Sequence, residues 1–186
     1  MASAIETEVK LAVRDREQAA KHLTDAGFRI SRDREFESNT IYDTADLQLR
    51  QKRMLLRLRQ AGDRGILTWK GAEDPGRYKA RPERETSVGS IGTMAEILNR
   101  LGYQNVFKYE KYRTEFQRAG EEGSAVLDET PIGNYLELEG PGEWIDAVAA
   151  QLGFTSSDYI LDSYGRLYQK WCDRKDVQPK DMVFSS

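Results

Sequence analysis

Between residues 5 and 11 the chain alternates in polarity. Ile5, Val9 and Leu11 share one parity, and Glu6, Glu8 and Lys10 share the other. Successive side chains of a strand point to opposite faces, so the segment is predicted to be a strand with one apolar face and one charged face. The pattern returns downstream. Arg57 and Arg59 share a face in Leu56-Arg57-Leu58-Arg59. Lys79, Arg81, Glu83 and Glu85 do so in 79–85, and Lys111 and Arg113 oppose Tyr112. Glu137 and Glu139 oppose Leu136 and Leu138. Lys70 has the opposite parity from Leu67 and Trp69, and Asp128 follows Ala125-Val126-Leu127.

Strands are predicted at 5–13, 28–36, 39–43, 54–60, 65–70, 77–88, 103–117, 124–129 and 135–139. Turns are expected at 61–63, 73–76, 120–123 and 131–134, where Gly, Pro, Asn and Asp gather. Helices are predicted at 15–26, 90–101, 143–152 and 157–172. The first opens with the capping-box spacing Asp15/Gln18, and the second places Met94, Ile97, Leu98 and Leu101 at helical spacing. Three helices share an ending, Gly27-Phe28, Gly102-Tyr103 and Gly153-Phe154, the signature of a left-handed glycine cap with an aromatic folding back. An acidic pair precedes each of them: Glu6/Glu8, Glu83/Glu85 and Glu137/Glu139. Many short strands joined by hairpin turns, with few helices, favour an α+β fold built on an antiparallel sheet or barrel over βαβ units. The polar segment 173–186 is expected to be a loose, flexible tail after a single domain over 1–172.

Composition narrows the chemistry. The 186 residues are 39% hydrophobic and 32% charged, too rich in aromatic and aliphatic residues for a disordered chain. Net charge is −3, from 28 basic and 31 acidic residues, which argues against nucleic acid or a membrane surface as partner. One cysteine, Cys172, and one histidine, His22, exclude an intramolecular disulfide and a Cys/His zinc site. The beginning MASAIETEVK has no apolar signal core, and no run reaches membrane-spanning length, so the protein is expected to be cytoplasmic. The apolar outer faces and the aromatic last helix leave room for a homodimer.

For one strand alone, a charged face is the ordinary solvated side of a sheet. The set is less ordinary, because paired carboxylates dominate some strands and paired cations others. If the strands close with these faces inward, the lumen holds Glu6, Glu8, Glu83, Glu85, Asp128, Glu137 and Glu139. It also holds Lys10, Arg57, Arg59, Lys70, Lys79, Arg81, Lys111 and Arg113. Unpaired buried charge is costly, so such a lumen must be wet and occupied. Arginine forks and lysine point charges suit a multiply charged oxyanion. Oxygen-only ligands suit Mg²⁺ or Mn²⁺. A metal-bound polyphosphate explains both halves. Neither the Walker-type nor the dinucleotide-binding glycine motif is present.

The ordered series resembles the CYTH superfamily, the triphosphate tunnel metalloenzymes. It runs from Glu6-x-Glu8-x-Lys10 through Leu56-Arg57-Leu58-Arg59, Leu67-Thr68-Trp69-Lys70-Gly71, Lys79-x-Arg81-x-Glu83-x-Glu85 and Lys111-x-Arg113 to Leu127-Asp128-Glu129 and Leu136-Glu137-Leu138-Glu139. It spans about residues 5–170 and is most similar to the class IV adenylyl cyclase (CyaB-like) branch. The resemblance implies a closed eight-stranded antiparallel tunnel with helices packed outside. It implies that Glu6, Glu8, Asp128, Glu137 and Glu139 hold Mg²⁺ or Mn²⁺. It implies that Lys10, Arg57, Arg59, Lys70, Lys79, Arg81, Lys111 and Arg113 hold the triphosphate of a small molecule. Glu6, Glu8, Lys10, Lys111 and Arg113 would serve the chemistry, while Glu83 and Glu85 support metal or orient cations within the substrate site. Asp43 matches an acid that braces a loop. Three functions are open: an adenylyl cyclase, a triphosphatase for tripolyphosphate, thiamine triphosphate or a nucleotide, and a non-catalytic binder. Pro82 departs from the pattern and should mark a kink or rim, because it lacks a ladder donor.

Overall fold

A computed structural model describes residues 4–74 and 76–185 of the chain. Its strands are Ala4–Val13 (β1), Arg29–Asp43 (β2), Leu55–Ala61 (β3), Arg64–Lys70 (β4), Lys79–Val88 (β5), Gln104–Gln117 (β6), Ser124–Thr130 (β7) and Gly133–Glu139 (β8). They close into an antiparallel barrel in the order β1-β5-β4-β3-β2-β6-β7-β8. Helices Arg16–Asp25 (α1), Gln48–Gln51 (α2), Ile91–Arg100 (α3), Gly142–Gln151 (α4) and Tyr164–Lys175 (α5) pack outside it. Among the described residues no helix is long and apolar enough to cross a membrane.

The main core lies between barrel and helices. Val9, Leu11, Phe116, Leu127, Leu136 and Leu138 are buried against Leu23 of α1 and Ile145 and Val148 of α4. Leu98 of α3 packs with Tyr42 and Leu58 in a second cluster. Each such aliphatic side chain contributes about 1.5–3 kcal/mol on burial. Those contacts hold the apolar parity outward and leave the charged parity to face the lumen. The three acidic-pair strands β1, β5 and β8 each run directly into a helix. Each of those helices ends at a left-handed glycine, Gly27, Gly102 and Gly153, at φ 91°, 90° and 85°. The following aromatic N–H bonds back to the helix, Phe28 to the Leu23 carbonyl at 3.0 Å and Phe154 to that of Ala149 at 2.9 Å. Glycine meets no steric penalty at that backbone angle, which fixes where each helix stops.

Several elements differ from the sequence expectation. The strands expected at 28–36 and 39–43 form one strand, β2, because β6 pairs with it along its length and absorbs the irregularities as register shifts. The helix expected from 157 starts at Tyr164. Ile160 is instead held extended by two backbone bonds with Lys10, of 3.0 and 2.8 Å, and the Ser163 hydroxyl caps the Arg166 N–H. Only Ser156–Asp158 turn before it, as a short 3₁₀ segment. The short α2 was not foreseen. The segment from 173 was expected to be loose, but α5 runs to Lys175 and Met182 is buried beside Tyr109 and Tyr164. Met182 also bonds the backbone of Lys108 and Glu110 at 2.9 Å each, so an apolar anchor inside a polar stretch docks the tail on β6. The turn expected at 73–76 includes Pro75, which lies outside the described residues. Pro82 sits where pairing to β4 has just ended, with Gly71 donating to its carbonyl at 2.8 Å, so its missing donor falls at a rim.

Candidate functional site: a charged tunnel

The inward parity encloses a cavity of about 1200 Å³ running through the barrel. Strand register sets which charges meet. Glu8 lies opposite Lys79 on β5 and Glu139 on β8, Glu6 opposite Arg81, and Lys10 opposite Glu137. Lys70 lies opposite Glu83, and Arg113 opposite Asp128. Fourteen of the fifteen residues singled out from the sequence line this cavity; Asp128 alone lies behind its wall. The charges then sort into two groups.

In the first, carboxylate oxygens of Glu6, Glu8 and Glu139 lie within 4.8 Å of one another. Lys79 and Lys10 bind Glu8 at 2.5 and 3.2 Å. Lys70 bridges Glu6 and Glu83 at 2.5 and 2.9 Å. Burial alone would raise the pKa of Glu8, but Lys10 and Lys79 outweigh it and hold the carboxyl well below the usual range. Glu139 has less help. Burial, reinforced by Glu137, Glu8 and Glu6, outweighs Arg113 and pushes it up to about 7. Of the three converging carboxylates, Glu8 is held ionised by its lysines and Glu139 is reluctant to ionise. The donor set is hard oxygen throughout, as Mg²⁺ or Mn²⁺ prefers. On an octahedral ion with bonds of about 2.1 Å, adjacent ligand oxygens stand about 3 Å apart and opposite ones about 4.2 Å, so the trio would close in to hold one ion.

In the second group, Asp128 has no exposed surface. It accepts from Lys111 Nζ, from Arg113 Nε and Nη2, and from the Tyr164 hydroxyl, each at 2.7 Å. Glu137 pairs with Arg113 and, at 3.0 Å, with Lys10. Asp128 and Glu137, which the resemblance groups with the metal ligands, are paired with cations here, as Glu6 and Glu8 also are. Glu83 and Glu85 orient cations in the same way, Glu83 on Lys70 and Glu85 on Thr68 and, at 3.8 Å, Arg57. Among the described residues, the buried Nε–H groups of Arg57 and Arg81 have no hydrogen-bond partner.

Tyr109 and Tyr164 also line the cavity, and Glu37 and Asn39 lie behind its wall, as Asp128 does. Glu37 pairs with Arg59 at 3.2 Å and Lys111 at 3.6 Å. Burial raises its pKa, but Lys111, Arg113 and Arg59 bring it down to about 2. Asn39 accepts from Arg59 Nε at 3.0 Å. Tyr109 meets Arg57 across β3 and β6, and Tyr164 reaches Asp128 from α5. The parity of Glu37, Asn39 and Ile41 against Tyr42 carried a signal for the first two. Tyr164 is brought in by a helix, and no strand alternation points to it. Asp43 accepts the backbone N–H groups of Thr44, Leu49 and Arg50 at 2.8–2.9 Å, bracing the β2–β3 loop as expected.

The CYTH domain family model matches residues 4–161. "Putative adenylate cyclase MJ0240" of Methanocaldococcus jannaschii is 27% identical over 135 residues, covering 73% of this chain and 76% of that protein. A Vibrio parahaemolyticus structure of like designation superposes with a TM-score of 0.79 at 20% identity, over 90% of this chain and 99% of that one. The Hippeastrum protein HpAC1, described as having a dominant triphosphatase activity, gives 0.63 at 15% identity, over 94% and 97%. At such identities the structural likenesses establish a shared fold. With the family model spanning most of the chain, the protein belongs to the CYTH domain family.

Proposed function

We propose that the protein is a divalent-cation-dependent enzyme that converts ATP to cyclic AMP and pyrophosphate within this tunnel. The observation that carries this reading is one lumen divided between a carboxylate trio and a cationic wall. A binder of polyphosphate needs the cations, whereas Glu6, Glu8 and Glu139 would repel the anion unless a metal lay between them. Arg57 and Arg81, with N–H groups to spare, and Arg59, Lys70 and Lys79 take phosphate oxygens. Lys10, Lys111 and Arg113 add to the positive field of the lining, held in place by Glu8, Glu37, Asp128 and Glu137. Mg²⁺ or Mn²⁺ on the trio would neutralise phosphate charge and acidify a coordinated hydroxyl. The ribose 3′-oxygen attacks the α-phosphorus, the bond to the β-phosphate breaks, and pyrophosphate and a proton depart. The protein's own part is to hold the chain in line and to stabilise the charge on the departing pyrophosphate.

Relatives named for adenylate cyclase support this choice. The Hippeastrum neighbour supports a second reading, hydrolysis of tripolyphosphate, thiamine triphosphate or a nucleoside triphosphate. Incubation with Mn²⁺ and each substrate, followed by chromatography, separates the two. Cyclic AMP and pyrophosphate from ATP, lost in Glu8→Ala, are expected. Orthophosphate without cyclic AMP would establish the hydrolase instead.

A further inference from the structure

Two stretches of barrel edge are left without a strand partner. β5 stops pairing with β1 at Glu8, and β7 reaches β6 only from Tyr112 onward. The segments that flank α5 meet both edges. Ile160 and Lys10 bond each other's backbone in both directions, at 3.0 and 2.8 Å, and Met182 bonds Lys108 and Glu110 of β6, at 2.9 Å each. The chain before α5 is thereby clipped to β1 and the chain after it to β6.

Between the clips α5 brings in Tyr164, its first residue, behind the N-cap Ser163. The ring packs against Tyr109 and Tyr135, with centroids 6.0 and 5.7 Å away, and belongs to the same buried cluster as Met182. It also lines the tunnel. The ammonium groups of Lys10 from β1 and Lys111 from β6 each lie 5.3 Å from its centroid. Its hydroxyl donates at 2.7 Å to Oδ2 of Asp128, the oxygen that also accepts from Lys111 Nζ and Arg113 Nη2.

A lysine is a point charge on a flexible stem, so its place in a wide lumen has to be fixed by its surroundings. A carboxylate that holds it also cancels its charge. An aromatic face attracts an ammonium through the ring quadrupole and carries no net charge, so it fixes the cation and leaves its field intact. The attraction strengthens where water is excluded, and Lys10 and Lys111 are only 2% and 1% exposed.

We infer that Tyr164 is a positioning residue of the tunnel: its ring sets the ammonium groups of Lys10 and Lys111 where they face the bound phosphate chain, and the clips on β1 and β6 keep it there. The inference rests on the tunnel's holding a triphosphate. It makes the helix after the barrel part of the site, through a side chain that acts by way of two lysines.

The test is calorimetric titration with diimidotriphosphate in Mg²⁺, with a melting curve for each variant. Tyr164→Phe keeps the ring and loses the bond to Asp128. Its melting temperature should fall while its affinity stays within about twofold of wild type. Tyr164→Leu fills the space without a quadrupole and should bind the probe about tenfold more weakly. A second series guards against misfolding: phenylalanine carrying increasing numbers of ring fluorines at position 164, which weakens the quadrupole with little change of shape. Affinity should fall stepwise along it. Affinity that stays flat along the fluorinated series, or is equal in Tyr164→Phe and Tyr164→Leu, overturns the inference, because packing alone does not distinguish these rings by their charge. Arg57→Ala separates that failure from failure of the tunnel reading. It should weaken the probe whatever Tyr164 does, and if it does not, the tunnel reading fails and the inference with it.

Discussion

Asp128 is completely buried and accepts four hydrogen bonds from Lys111, Arg113 and Tyr164. Its neighbours on β6 and α5 give it a structural task. Removing one partner of a buried ion pair leaves the other charges uncompensated, at a cost of about 3–5 kcal/mol. Asp128→Ala should therefore lose about that much stability in urea unfolding. Its Mn²⁺ affinity, measured where the variant is folded, should stay within a few-fold of wild type. Glu139→Gln should do the reverse, with near-normal stability and an affinity loss of about 10–100-fold. Equal losses of Mn²⁺ affinity in both variants would place Asp128 among the ligands after all. Asp128 follows three apolar residues, so its place on the charged face came from the resemblance rather than from alternation along β7. Neither carried information on which side chains across the lumen would claim it, because that depends on register with β6 and on the arrival of α5.

The strands were legible because each is bounded by turn residues and keeps one parity, as β3 and β8 do. What escaped was decided by partners distant in sequence. Glu37 lies in the gap between two expected strands, and only pairing with β6 makes that gap a strand and turns Glu37 toward Arg59 and Lys111. The tail owes its order to contacts with β6 that lie far off in sequence, Met182 on Tyr109, Asp181 on Lys108 and Phe184 on Tyr112. The α2 loop depends on Asp43, whose carboxylate stands in for the backbone partners that so short a helix lacks. This loop also makes a sharp prediction. Arg53 adopts a left-handed backbone while its side chain is exposed. Arg53→Gly relieves about 1–2 kcal/mol of strain but gains freedom in the unfolded chain, for a net gain of up to about 1 kcal/mol. Its melting temperature should rise slightly. A fall in melting temperature would mean that the guanidinium's bond to the Glu73 carbonyl, at 3.2 Å, outweighs the strain.

The whole molecule is a barrel turned inside out, with its oil on the outer surface beneath helices and its ions within. The ions must balance for the barrel to stay closed, and that ties stability to pH. Glu37 ionises at about 2 in the folded protein against an ordinary 4.5, with Glu8 and Glu137 also depressed by neighbouring cations. A carboxylate depressed on folding contributes stability that is fully present above its unfolded pKa and is lost as pH falls toward the folded one. The window therefore opens near 4.5 and closes near 2 for Glu37. Glu139, raised to about 7, titrates on the other side of 4.5 and adds no slope below it. Urea unfolding of the wild type should show stability falling steeply between about pH 4.5 and pH 2, as protonation leaves Arg59, Lys111 and Arg113 facing one another. Glu37→Gln should be less stable than wild type near pH 6. Below about 4.5 its decline should be shallower, by up to about 1.4 kcal/mol per pH unit for the one proton it no longer takes up. Parallel acid limbs in the two proteins would show that the cations of the wall do not depend on Glu37, and that Asp128 and Glu137 alone keep the lumen closed.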